Sequence, residues 1–164
     1  AVGDTVSTYA TYAMLLSPAA TAVLTLMDSS HAAADALTYA TMYGQAFLLT
    51  YGTKDVLKAL VSRHRPYTYA GSVPAGEEDD YYNSFPSGHT AFAFMSATFL
   101  ARTFADEFPD SRWRVPVAAG AFAAAGAVAT LRVTSGNHFI TDVLAGAAVG
   151  ALWGWVIPEL HVRR

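Results

Sequence analysis

The sequence predicts an all-α fold, an antiparallel bundle of about five long helices that is transmembrane, and three observations carry that prediction. Asp, Glu, Lys and Arg are absent from five stretches, 5–27, 36–53, 81–101, 115–131 and 143–158, of 23, 18, 21, 17 and 16 residues, close to the ~20 needed to cross a hydrocarbon core. No stretch alternates strictly enough for a strand, and no repeat with a period of about 20 to 50 residues recurs. Charged residues make up only 14% of the chain, against about 25% in ordinary soluble domains. Something other than water therefore covers part of the surface. With 164 residues the chain suits one domain, 1–164, with a core of its own.

Each helix has its own local signals. The first stretch, diluted by Thr and Ser, contains Pro18, which should kink it. The second runs into KALVSRHRP, where Pro66 is expected to end it. From Pro66 to Pro86 the sequence reads as a long loop, with Gly71, Pro74, Gly76 and the acidic run Glu77 to Asp80. That run reads as solvated carboxylates and not as a metal site. The third helix opens in SFPSGHTAF, residues 84 to 92, where Ser87 suits an N-cap. Pro116 fits the first turn of the fourth helix, and Gly120 and Ala124 are expected to let another helix approach. Gly146, Gly150 and Gly154 give the fifth helix the same property on one face, and Pro158 should end it.

Composition also excludes functions. A net charge of −3 with no basic cluster interleaved with aromatics argues against nucleic acid. Zero cysteines remove disulfides, thiolate zinc sites and cysteine nucleophiles. Composition says nothing of oligomeric state.

If the helices are antiparallel neighbours, the end of the second, the start of the third and the turn between the fourth and fifth lie on one side. The unusual residues are there. Lys58 and Arg65 are seven apart, two helical turns, and are expected to project toward a common anion. A helix start at Ser87 and Gly88 offers backbone N–H groups and the positive end of a dipole to a phosphate, and His89 beside it could donate a proton to a leaving oxygen. In LRVTSGNHFITD, His138 precedes Asp142 by four residues, so the carboxylate could accept one ring N–H and leave the other nitrogen to attack. Arg132 adds a third cation. Any of these motifs alone has a structural reading; cations, an anion-binding helix start and two histidines from three distant segments together do not.

With K-x6-R-P at Lys58 to Pro66, P-S-G-H at Pro86 to His89, and R-x5-H-x3-D at Arg132 to Asp142, the chain resembles the phosphatidic acid phosphatase type 2 superfamily, which includes membrane lipid phosphatases, bacterial non-specific acid phosphatases and vanadium haloperoxidases. Leu131 stands where the family has a serine before the arginine. The resemblance implies a phosphatase acting on a phosphomonoester or pyrophosphate, with His138 as the nucleophile that forms a phosphohistidine, Asp142 as its orienting partner and His89 as general acid. Lys58, Arg65 and Arg132, with the Ser87 hydroxyl and the Gly88 N–H, would hold the phosphoryl oxygens. It implies no metal and no other cofactor, because the cations fill that role. His31, His64 and His161 match no family position. The family's membrane members have six spans, so one is expected before Ala1, as a cleaved leader or an omitted span.

A phosphorylated lipid and the bilayer are thus the expected partners, in a bacterial-type cell membrane. Trp113, Trp153 and Trp155 on the side away from the site, and Tyr67, Tyr69, Tyr81 and Tyr82 near it, read as two interfacial belts. Arg102, Arg112, Arg114, Arg163 and Arg164 fall on the far side, which puts the site on the non-cytoplasmic face. The competing readings are a soluble periplasmic acid phosphatase, a vanadium haloperoxidase-like enzyme and a non-catalytic lipid-binding bundle.

Overall fold

The computed structural model describes residues 2–28, 32–71 and 81–161. Seven helices follow in order: α1 (Val2–Leu16), α2 (Ala19–Asp28), α3 (Ala32–Val61), α4 (Pro66–Tyr69), α5 (Gly88–Glu107), α6 (Arg114–Thr134) and α7 (Ile140–His161), with no strand among the described residues. Ser17 and Pro18 form a turn between α1 and α2, so Pro18 breaks the first predicted helix as its missing N–H requires. The expected residues 36–53 grow into the 30-residue α3, because Asp35, Lys54, Asp55 and Lys58 lie on its end turns without stopping it. Residues 81–87 lack charge but precede α5.

Two prolines act differently from expectation. The second long helix ends at Val61, before Pro66. Ser62 adopts the left-handed region (φ 41°), and its N–H donates to the Lys58 carbonyl at 3.1 Å, a left-handed cap that closes α3. Pro66 instead opens the short α4, where its fixed φ and absent N–H suit the first position. Pro158 lies inside α7, which continues to His161.

The core is α5. Ala91, Ala93, Met95, Ala97 and Phe99 are buried on it, and α1, α3, α6 and α7 all pack around it. A Cβ placed at Gly146, Gly150 or Gly154 would collide with the carbonyl oxygens of Ser87, Ala91 and Met95 in turn. Thus α7 runs parallel to α5 with backbones in contact, as the three small residues predict. Gly120 does not behave this way: nothing lies within 4 Å of where its Cβ would be, and Ala124 is exposed. The face of α6 turned inward is Ala125, Val128 and Ala129.

Both α6 and α7 are long and apolar enough to cross a membrane, and only 17% and 33% of their apolar windows are buried inside the protein. Most of that apolar surface faces outward, unlike the core helix of a water-soluble fold. The aromatic residues expected at the two interfaces differ in exposure. Trp113, Trp155, Tyr69 and Tyr82 are exposed. Trp153 packs inward, its indole N–H donating to Thr53 Oγ1 of α3 at 3.0 Å, and Tyr67 is buried, so neither is an interfacial anchor.

Candidate active site

The three motifs meet at one end of the bundle, where α3 finishes, α5 and α7 begin and α6 finishes. Gly136, in the left-handed region (φ 75°) just past α6, turns the chain so that Asn137 and His138 enter the interior, where both are buried. The α3–α4 connection lies alongside: Ser84 N–H donates to the Arg63 carbonyl at 2.9 Å, Arg65 N–H to Tyr81 at 2.8 Å and Tyr67 N–H to Gly136 at 3.2 Å. Arg65, Arg132 and His138 are only 5%, 3% and 2% exposed. Burying a guanidinium costs several kcal/mol unless it is matched, and Arg132 is matched by Asp4 of α1.

His138 is fixed by an atom the sequence did not indicate. Its Nδ1 lies 2.7 Å from the Ser84 carbonyl; a carbonyl only accepts, so Nδ1 carries the proton and Nε2 keeps its lone pair. Asp142 Oδ2 is 3.8 Å from Nδ1, beyond hydrogen-bond reach. The expected direct His138–Asp142 hydrogen bond is therefore replaced by an indirect arrangement, in which Ser84 joins the two through its carbonyl and its hydroxyl, the latter donating to Asp142 Oδ2 at 2.5 Å. Burial pushes the His138 imidazole down to about 4, with Arg132 and Arg65 acting in the same direction and Asp142 and the Ser84 carbonyl opposing. At neutral pH that leaves the ring uncharged.

His89, in the first turn of α5, sits near the same charges, Arg132, His138, Asp4 and Arg65. Its Nε2 is 3.1 Å from Thr8 Oγ1, and the Thr8 hydroxyl also donates to the Asp4 carbonyl at 3.1 Å. A hydroxyl has one proton, so Thr8 accepts here and His89 Nε2 carries a hydrogen. Ser87 is the N-cap, its hydroxyl 3.0 Å from that of Thr90, while its N–H donates to the Asp142 carbonyl at 2.9 Å. Gly88 N–H, in the first turn, has no partner within the helix. Lys54 packs its stem where a Gly88 side chain would be.

The predicted cationic pair is rearranged. Lys58 is half-buried on the last turn of α3, but Arg65 lies beyond the helix end, so the two do not share a helical face. Arg132 pairs with Asp4 of α1 and donates to Ser7 Oγ at 3.3 Å. Thus a hydroxyl does reach Arg132 although Leu131 replaces the serine before it. Asn137 Nδ2 also donates to Asp4, at 3.1 Å. The contributions of Asp4, Ser7 and Thr8 went unseen because 5–27 reads as a hydrocarbon span. The signal was there, since positions 4, 7, 8 and 11 of α1 are polar and share one helical face.

A cleft of about 440 Å³ adjoins His138, lined by Arg63, Pro66, Val133, Phe139, Ile140 and Thr141. Larger hollows of about 590 and 650 Å³ lie at the opposite end. Asp35, Asp106 and Glu107 line the first of these, together with Arg114 and His161. His64 is exposed, its ring centroid 5.5 Å from that of Tyr81. His161 turns back on its own helix, Nδ1 2.9 Å from the Ile157 carbonyl. His31 and the run Glu77 to Asp80 lie outside the described residues.

The sequence profile of the PAP2 superfamily matches residues 36–164. Lipid A 1-phosphatase of Porphyromonas gingivalis is 38% identical over 72 residues, 44% of this chain and 15% of that protein. The probable diacylglycerol pyrophosphate phosphatase 1 of Schizosaccharomyces pombe is 34% identical over 100 residues, 57% and 34% of the two chains. The bacitracin transport permease protein BcrC of Bacillus licheniformis is 32% identical over 119 residues, 70% and 54%. The chain thus spans between 15% and 54% of the length of these relatives. Among solved structures, a transmembrane PAP2-type phosphatidylglycerolphosphate phosphatase from Bacillus subtilis superposes with a TM-score of 0.55 at 24% identity, covering 98% of this chain and 88% of that one. That likeness agrees with the helical architecture.

Proposed function

The chain belongs to the PAP2 superfamily, and from that premise we propose that it is a metal-independent phosphatase, one domain over 1–164, that removes phosphate from a phosphomonoester or pyrophosphate of a lipid. The observation that carries the reading is the pairing at His138: Nδ1–H held by the Ser84 carbonyl at 2.7 Å, Nε2 left with its lone pair, and buried Arg65 and Arg132 beside it.

His138 Nε2 attacks phosphorus and the bond to the leaving oxygen breaks, while His89, entering the step as the imidazolium, gives its Nε2 proton to that oxygen and becomes neutral; the product is a phosphohistidine. His89, now short of a proton, takes one from water, and that water attacks phosphorus and frees His138. Charge developing on the phosphoryl oxygens meets Lys58, Arg65 and Arg132, the Ser87 hydroxyl and the Gly88 N–H. Asp4 stands on Arg132 as a phosphate oxygen would. Thr8 holds the His89 proton until a leaving oxygen takes it.

The outward apolar faces of α6 and α7 support a place in the bilayer of a bacterial-type cell membrane. The exposed Arg112 and Arg114, with Arg102, sit at the rim opposite the site and favour a site on the non-cytoplasmic face; Arg163 and Arg164 lie outside the described residues. Phosphate release from a panel of lipid phosphates and pyrophosphates in detergent, with excess EDTA and with vanadate, tests the proposal. Turnover that survives chelation and is inhibited by vanadate agrees with it. Absence of turnover on every phosphoester favours a binding or transport bundle, and turnover that needs a divalent ion overturns the metal-free mechanism.

A further inference from the structure

The Asp142 carboxylate is wholly buried, 3.8 Å from the nitrogen it was expected to hold, and other groups occupy it. Oδ2 accepts from the Ser84 hydroxyl at 2.5 Å and the Phe139 N–H at 2.9 Å. Oδ1 accepts from Arg63 at 2.7 Å. That guanidinium is itself held: it donates to Thr141 Oγ1 at 2.6 Å and lies 4.0 Å over the Phe139 ring. Arg63 belongs to the connection that the left-handed Ser62 turns away from α3, and its backbone carbonyl accepts the Ser84 N–H. One residue therefore grips both the carboxylate and the strip of chain whose carbonyl orients His138.

We propose that Arg63 is a positioning residue that holds the Asp142 carboxylate off His138, so that the imidazole N–H goes to the neutral Ser84 carbonyl instead. The proposal rests on His138 being the nucleophile. A carboxylate bonded directly to Nδ1–H would favour the imidazolium, which has no lone pair to attack with. A carboxylate tied to Arg63 still stabilises the developing positive charge from 3.8 Å without protonating the ring beforehand. The guanidinium suits this task because Nη1 carries two N–H groups, one for Asp142 Oδ1 and one for Thr141 Oγ1, while its plane can lie against the Phe139 ring. The groups facing His138 are Asp142 on α7, Arg132 on α6, Arg65 before α4 and His89 on α5, with Asp4 of α1 acting on His89. Arg63 reaches it through Asp142.

The test uses the full chain in detergent with Arg63→Gln. The expected result is a kcat lower by roughly 10²-fold with KM little changed, and an acidic limb of kcat/KM moved up by about one to three pH units. Titration of isotope-labelled His138 by NMR should move upward with it, and is readable without turnover. Arg63→Lys keeps the charge but not the planar guanidinium that lies over the Phe139 ring, and is expected between wild type and glutamine in both readings; it carries the test if the glutamine variant does not fold. A raised KM with the acidic limb and the His138 titration unmoved, in either variant, would mean that Arg63 holds substrate and would overturn the proposal. Failure of the underlying reading looks different: wild-type enzyme would turn over without forming a phosphohistidine.

Discussion

The two ends of the bundle both gather ionisable side chains, and they treat them in opposite ways. At the end where α5 and α7 begin, the charges are interior: Arg65 and Arg132 are 5% and 3% exposed, and Asp142 is fully buried. At the other end, Arg102 bridges Asp106 at 3.0 Å and Glu159 at 2.8 Å with all three side chains about a third exposed or more, while Tyr39 donates to Glu107 at 2.6 Å. Exposed pairs of that kind contribute little to stability. Buried arginines cost stability unless something anionic meets them. The comparison teaches that one end keeps charge in water's reach as a rim, and the other withholds it from water in an interior network that includes the Arg132–Asp4 pair.

The comparison can be broken or sharpened by substitution. The largest effect is expected for His138→Ala, which should lower steady-state phosphate release by about 10⁴-fold or more; His89→Ala should lower it by about 10²- to 10⁴-fold, with less loss on substrates whose leaving group needs no proton. Arg132→Ala should reduce kcat/KM by about 10²- to 10³-fold, measured on the same substrate.

The pH profile comes next. Burial lowers the His138 imidazole to about 4, so protonation would disable the proposed nucleophile only near and below that value. The account predicts a kcat/KM that holds as pH falls through 6 and declines through about 4. An acidic limb near the ordinary histidine value of about 6.5 would contradict it.

Smaller effects separate packing from chemistry. Gly150→Ala drives a Cβ into the Ala91 carbonyl and should destabilise by roughly 1–3 kcal/mol, read as a lower melting temperature. Gly120→Ala meets nothing and should leave melting within about 1 kcal/mol of wild type. The smallest effect belongs to the far rim: Arg102→Ala should leave kcat/KM unchanged and alter stability by no more than about 1 kcal/mol.

Long helices and their convergence were legible in the sequence because uncharged runs and three spaced motifs report on them directly. The Gly146, Gly150 and Gly154 contact was legible for the same reason, since a close backbone approach leaves only small residues in place. Gly120 and Ala124 show the limit: a small residue permits an approach without causing one. The end of α3 was misplaced because a polar Ser62 in the left-handed region gives a weaker signal than the proline four residues on. Within the site, residue types were readable and bonding was not. Asp142 was identified by its spacing from His138, but spacing cannot show that Arg63 and Ser84, distant in sequence from it, take its oxygens. Asp4, Ser7 and Thr8 were hidden because a polar helical face reads the same whether it lines a pocket or meets headgroups.

The central claim is that the buried end performs phosphoryl transfer through His138 Nε2. It is tested most directly by acid-free rapid quench of the full chain mixed with a ³²P-labelled lipid phosphate, followed by peptide mapping. The account predicts an acid-labile, base-stable phosphoryl group on His138 within the first turnover, accumulating in His89→Ala on a substrate with a good leaving group and absent from His138→Ala. Rapid turnover with no labelled protein, or with label on another residue while His138→Ala remains active, would contradict it.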